Sequence, residues 1–214
     1  MKEQGDVAAP TLTPPYRIYR NFLDSDTHAC LLAWAIENEP KFKPTLVDEG
    51  KHDPSWRLSL GVGDFGPVKV VLRQHVLNIL PTLIRDLRVT QFEPSEVDIE
   101  LIAHNDGAFF KRHVDVQIGA RRGVSDRVLS AVYYFYAEPK AFSGGALRLY
   151  PFGAKEDASN FTDLQPEQNT LLVFPSWASH EVLPVSCPSR RFSDSRFAVN
   201  CWVHRRSNGV VSDT

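Results

Sequence analysis

The chain has 214 residues, a formal charge of −2 and a pI near 6.4, with 43 % hydrophobic and 23 % charged residues. That length suits one domain with a substantial core, the composition is that of an ordinary globular protein, and the near-neutral balance excludes an overall nucleic-acid footprint. No apolar run reaches the roughly 18 residues of a membrane span, and three scattered cysteines (Cys30, Cys187, Cys201) without C-x-x-C spacing exclude a disulfide framework or a cysteine zinc site.

Residues 1–15 are rich in Pro, Thr and Ala, lack the apolar core of a signal peptide, and are expected to form a disordered leader in a cytoplasmic protein. A short β-type run over 16–22 leads into Asp24-Ser25-Asp26, N-cap candidates for a helix carrying Leu31, Trp34 and Ala35 and ended by Pro40. Residues 41–55, with two prolines, a glycine and many charges, predict a loop, and 56–60 a strand. A second helix is expected from Pro67 towards Leu80, where Val68, Leu72, Val76, Ile79 and Leu80 approximate one buried face and Pro81 breaks or restarts the helix. From Val97 the period changes to alternation. Strands are predicted over 97–103, 128–137, 146–150, 170–174, 180–185 and 196–203, with 116–127, 151–169 and 186–195 as long loops. Helices first and strands afterwards predict an α+β, mainly β protein: one domain over 16–206, its core at 97–204, its helices on one face of an antiparallel sheet or sandwich, and a tail at 207–214.

Chemistry concentrates in Arg112-His113-Val114-Asp115. On a strand, His113 and Asp115 would share a face, and one more imidazole would complete the two-His-one-carboxylate set of non-haem Fe(II) oxygenases. H-x-D alone is weak, because a surface histidine beside an aspartate is commoner. His180, opening an apolar segment, is by itself either a core histidine or the third ligand. In the segment 196–203, Arg196, Ala198, Asn200 and Trp202 share one face, and Phe197, Val199, Cys201 and Val203 the apolar other. A planar guanidinium on a pocket wall suits bidentate capture of a carboxylate.

Five stretches taken together resemble the prolyl-hydroxylase-like branch of the Fe(II)/2-oxoglutarate oxygenases, which includes the hypoxia-sensing prolyl hydroxylases. They are Asn105-Asp106-Gly107 leading to His113-Val114-Asp115, Val132-Tyr133-Tyr134, residues 143–151 (SGGALRLYP), His180-Glu181-Val182 with Pro184, and residues 196–202 (RFAVNCW). The resemblance implies a double-stranded β-helix (jelly-roll) core with His113, Asp115 and His180 as iron ligands. It also implies that Arg196 and Tyr134 bind the far carboxylate of 2-oxoglutarate, with Val132, Leu147, Asn200 and Trp202 lining that pocket. Two departures stand out: Ala103 and His104 occupy the place where relatives often carry a second pocket tyrosine, and Arg196 follows His180 by more residues than usual, with Arg190 and Arg191 nearer the shorter spacing.

The implied reaction couples oxidative decarboxylation of 2-oxoglutarate, with dioxygen, to hydroxylation of an unactivated C–H bond, with ascorbate as an auxiliary reductant. Asp115 argues against a halogenase, which leaves that ligand position vacant, and the complete residue set argues against a non-catalytic metal-binding jelly roll. The expected substrate is an amino-acid residue, prolyl first, in a peptide or protein; the alternative is a free amino acid or small natural-product intermediate. Basic residues in 111–127 and 187–206, with Arg121 and Arg122 as rim candidates, predict either an acidic character for that substrate or steering of the dianionic 2-oxoglutarate itself. No nucleic-acid or membrane partner is expected.

Overall fold

The computed structural model describes residues 12–47, 50–116, 125–154 and 160–206. The elements in chain order are β1 (Arg17–Arg20), α1 (Ser25–Glu37), β2 (Lys43–Pro44), β3 (Arg57–Leu58), β4 (Leu60–Val62), α2 (Pro67–Asp86), β5 (Pro94–His104), β6 (Phe109–His113), β7 (Ser125–Phe135), β8 (Ser143–Gly144), β9 (Leu147–Leu149), β10 (Thr162–Leu164), β11 (Thr170–Pro175), β12 (His180–Val182), β13 (Val185–Ser186) and β14 (Arg196–Arg206). Among the described residues, a seven-stranded sheet runs β1-β11-β7-β14-β5-β4-β2 and a five-stranded sheet β10-β9-β12-β6-β3, and all pairings are antiparallel. The two sheets are the halves of a jelly roll.

Strand alternation divides the apolar residues between two cores. On β14, Phe197, Val199, Cys201 and Val203 face outward into the larger core, where they meet Leu31 and Ala35 of α1 and Leu72, Val76, Leu80, Leu83 and Ile84 of α2. Each fully buried side chain of this kind contributes roughly 1.5–3 kcal/mol, so this layer anchors the sheet to the helices. The opposite faces of the same strands supply Val132, Tyr134, Leu172, Phe174 and Ala198 to a smaller core between the sheets, closed by Leu147 and Leu149. Asp24 caps α1 by accepting from the Thr27 backbone N–H at 2.9 Å.

Four local expectations are corrected. α2 continues through Pro81, which is exposed, while Leu80, Leu83 and Ile84 on either side of it are buried. Their burial offsets the one backbone hydrogen bond that proline removes. Residues 41–55 are not plain loop: Lys43–Pro44 pairs with β4, and Val47 bridges Lys51. The stretch 151–169 contains β10, whose Thr162–Leu164 pairs with Leu149–Leu147. The strand predicted over 97–103 is longer at both ends, running from Pro94 to His104, and its last residue pairs with Arg196. Polar or proline-rich composition hid these pairings, because strands this short carry almost no periodic signal.

Candidate metal centre and carboxylate pocket

Neighbouring strands of the smaller sheet place the two histidines side by side. His113 ends β6, His180 opens β12, and the two are register partners with ring centroids 4.2 Å apart. Asp115 arrives differently from the expected i, i+2 alternation on one strand. β6 stops at His113, and the chain beyond it is tied to the β11–β12 turn by the Asp115 N–H donating to the Ser176 carbonyl at 3.0 Å. The carboxylate then lies 3.6 Å from His113 Nε2 and 3.7 Å from His180 Nε2, and one ligand atom from each residue falls within 4.8 Å of the others.

Hydrogen bonds prepare these side chains for a cation. His113 Nδ1 contacts the Lys111 carbonyl at 2.7 Å and His180 Nδ1 the Ala178 carbonyl at 2.8 Å. A carbonyl only accepts, so both protons sit on Nδ1 and both Nε2 lone pairs face the carboxylate. Ser130 donates to Asp115 Oδ2 at 2.6 Å. Phe110 stacks on His113 at 3.6 Å between centroids, and Phe174 meets His180 edge-on. Burial and then His180 push the His113 pKa well below its ordinary value. For Asp115, burial acts upward, but His180, His113, Ser130 and Trp202 outweigh it and hold the carboxyl below the usual range. Neutral imidazoles and an ionised carboxylate are the states a metal requires.

The cavity beside this cluster is lined by Val132, Leu147, Arg196, Asn200 and Trp202, all expected there. Arg196 is 1 % exposed, and the Tyr134 ring lies 4.8 Å from its guanidinium carbon. Arg196 Nε and Nη2 and Tyr134 Oη are buried with no hydrogen-bond partner. Leaving such groups unpaired costs about 1–3 kcal/mol each, more for a charged one, so the trio fits a bound carboxylate. Gly145 permits this placement: a Cβ there would lie 2.6 Å from Arg196 Cδ and 2.8 Å from Val185 Cγ2, at a φ of +67°. Gly145→Ala is therefore expected to destabilise by about 1–3 kcal/mol, a fall in Tm of roughly 2–10 °C for a chain of this size. Calorimetry checks it, and an unchanged Tm would show that the pocket wall yields freely.

Arg190 and Arg191 do not enter the pocket. Both are exposed, the first paired with Asp106 at 3.2 Å and the second with Asp194 at 2.9 Å. Arg205 lies 3.8 Å from Asp126. Most of the basic surplus of 187–206 is thus met by local carboxylates or buried in the pocket, which weakens the expectation of a positive rim. Arg121 and Arg122 lie outside the described residues.

Sequence reasoning missed Arg57, which is 7 % exposed, lines the cavity, faces the Phe110 ring and lies 3.7 Å from Glu100. The signal was present as an inverted strand: Trp56 and Leu58 are each 40 % exposed, while Arg57 and Ser59 point inward. Polar residues inside and apolar ones outside mark a polar cavity. Ser130 and Phe110 were also missed, and neither carries a pattern of its own.

Two imidazoles and a carboxylate in this arrangement are the coordination set of non-haem Fe(II) oxygenases, which gives the class of protein. The sequence profile of the 2OG-Fe(II) oxygenase superfamily matches residues 99–204. The chain is 33 % identical over 197 residues to an uncharacterised PKHD-type hydroxylase of Synechocystis, a match covering 90 % of this chain and 64 % of that longer relative. In fold it is similar to a prolyl hydroxylase of Trichoplax adhaerens (TM-score 0.69, 19 % identity, 90 % of this chain and 84 % of that one). A Pseudomonas putida prolyl-4-hydroxylase is comparably close (TM-score 0.67, 22 % identity, 91 % and 95 %). Over residues 99–204 the chain is similar to the 2OG-Fe(II) oxygenase superfamily, and it has the jelly-roll fold of the prolyl hydroxylases it resembles. The 2OG-Fe(II) oxygenase superfamily takes its name from the metal and the co-substrate, and this chain spans 64 % of the length of the Synechocystis relative it matches. No helix among the described residues is long and apolar enough to cross a membrane.

Proposed function

We propose that this chain hydroxylates an unactivated C–H bond of an amino-acid residue, prolyl first, within a peptide or protein. His113, Asp115 and His180 hold Fe(II), and Arg196 with Tyr134 takes the far carboxylate of 2-oxoglutarate. The observation that carries the reading is the juxtaposition of a cluster with freed Nε2 atoms and a buried arginine with two unpaired donors. When bound, the iron with 2-oxoglutarate and dioxygen supplies the oxidation, coupling release of succinate and carbon dioxide to transfer of one oxygen atom to carbon. The protein's own work is placement: Ser130 donates to Asp115 and orients it, Val132 and Leu147 give the cavity its apolar wall, and Trp202 lines it beside them.

A polymeric substrate is supported by what lies beyond Trp202. That residue also lines a cleft of about 760 Å³ bordered by Lys69, Arg73, Glu96, Asp98 and Glu100. An open, charged cleft suits an extended chain better than a small molecule that must be enclosed. The Trichoplax adhaerens enzyme of the same fold was solved with a peptide fragment of hypoxia-inducible factor.

The test incubates the protein with Fe(II), 2-oxoglutarate and a panel of proline-containing peptides, alongside free amino acids. A peptide gaining the mass of one oxygen atom, with matching succinate, is the expected result. Stimulation by free amino acids and by no peptide would replace the reading with a small-molecule hydroxylase.

A further inference from the structure

We infer that His104 is a positioning residue for the co-substrate: it holds one end of the Arg196 guanidinium through a neutral acceptor, so that the opposite edge stays free and fully charged for a carboxylate. The inference rests on the reading of Arg196 as the 2-oxoglutarate clamp.

Register is the first observation. His104 and Arg196 are direct partners across β5 and β14, so both side chains stand on the same inner face of the sheet, and both line the cavity. Contact is the second. Arg196 Nη1 lies 3.1 Å from His104 Nδ1, with both side chains buried. A guanidinium has only donors, so Nδ1 is the acceptor here and the imidazole proton sits on Nε2. Burial, followed by the positive charges of Arg196 and Arg57, drives the His104 pKa well below its ordinary value, so the ring is neutral. The third observation is what remains unpaired. With Nη1 engaged, the orphaned donors of Arg196 are Nε and Nη2, adjacent N–H groups along one edge of the fork and the spacing that bidentate carboxylate recognition uses.

The choice of partner matters. A carboxylate at position 104 would anchor the guanidinium equally well, but it would neutralise the charge and compete with the dianionic ligand. A leucine or alanine would leave Nη1 as a third buried, unpaired donor and let the fork rotate among its rotamers. An uncharged acceptor avoids both, and asparagine can imitate it, with Oδ1 standing close to where Nδ1 stands.

The experiment is anaerobic calorimetry of Mn(II)-loaded protein titrated with 2-oxoglutarate, for wild type, His104→Leu, His104→Asp, His104→Asn and Arg196→Ala. Loss of one hydrogen bond to a charged group predicts that His104→Leu weakens 2-oxoglutarate binding ~10-fold. His104→Asp should weaken it at least as much, and His104→Asn should stay within a few-fold of wild type. Mn(II) affinity should be the same in all four histidine forms, which separates positioning from misfolding. In uncoupled turnover, His104→Leu should raise the 2-oxoglutarate KM with little change in kcat. Wild-type affinity in His104→Leu, or an asparagine variant as weak as leucine, overturns the inference. If Arg196→Ala itself binds 2-oxoglutarate normally, the clamp reading fails first and the inference falls with it.

Discussion

Asp115→Ala is expected to abolish iron binding and turnover together. Asp115 supplies the only carboxylate of the cluster, beside two imidazoles whose Nδ1 atoms are engaged by backbone carbonyls. Removing it leaves two uncharged ligands and no anion to offset a divalent cation in a buried site. Losing an outer-shell partner of a metal site already costs ~10–100-fold in affinity, so loss of this direct ligand should exceed ~100-fold. His180→Ala and His113→Ala should behave alike, since each supplies one of the two Nε2 atoms. Iron per chain after dialysis, with 2-oxoglutarate-dependent succinate formation, measures both effects. Manganese and nickel are expected to occupy the wild-type site without turnover. One retained iron and normal turnover in Asp115→Ala or His180→Ala would disprove the metal assignment.

Arg196→Ala should raise the 2-oxoglutarate requirement by at least ~100-fold, because two charge-assisted hydrogen bonds at about 1.5–3 kcal/mol each are lost from a buried site. Tyr134 Oη would then face the ligand alone, its own pKa raised by burial. Arg190→Ala and Arg191→Ala should change the same KM by less than about twofold, since an exposed ion pair contributes at most about 1 kcal/mol to stability and neither side chain reaches the cavity. The measurement is the 2-oxoglutarate dependence of succinate release. The reverse ranking would move the clamp into the loop before β14.

Long periodic segments were legible from residue order alone. The alternation over 196–203 sorted Arg196, Asn200 and Trp202 from Phe197, Val199 and Cys201, and the structure sends those two sets to the cavity and the outer core. The H-x-D motif was legible for a partly mistaken reason. The strand ends at His113, and Asp115 reaches the cluster because Ser176, a residue distant in sequence, captures its backbone N–H. Arg57 went unread because an inverted strand looks like an ordinary one until its inside is known to be polar.

What the sequence determined by itself is therefore what local periodicity encodes: two helices, the main strands, which side of each strand is apolar, and the residue types a metal and a carboxylate need. Tertiary structure alone decided the pairings between distant segments. It chose His180 over five other histidines to stand beside His113, withdrew Arg190 and Arg191 into surface ion pairs, and set His104 opposite Arg196. The physical reason is that a side chain's face is fixed by its neighbours one or two residues away, whereas its partner is fixed by sheet register. Register is the outcome of burying two cores at once, and no single segment carries it.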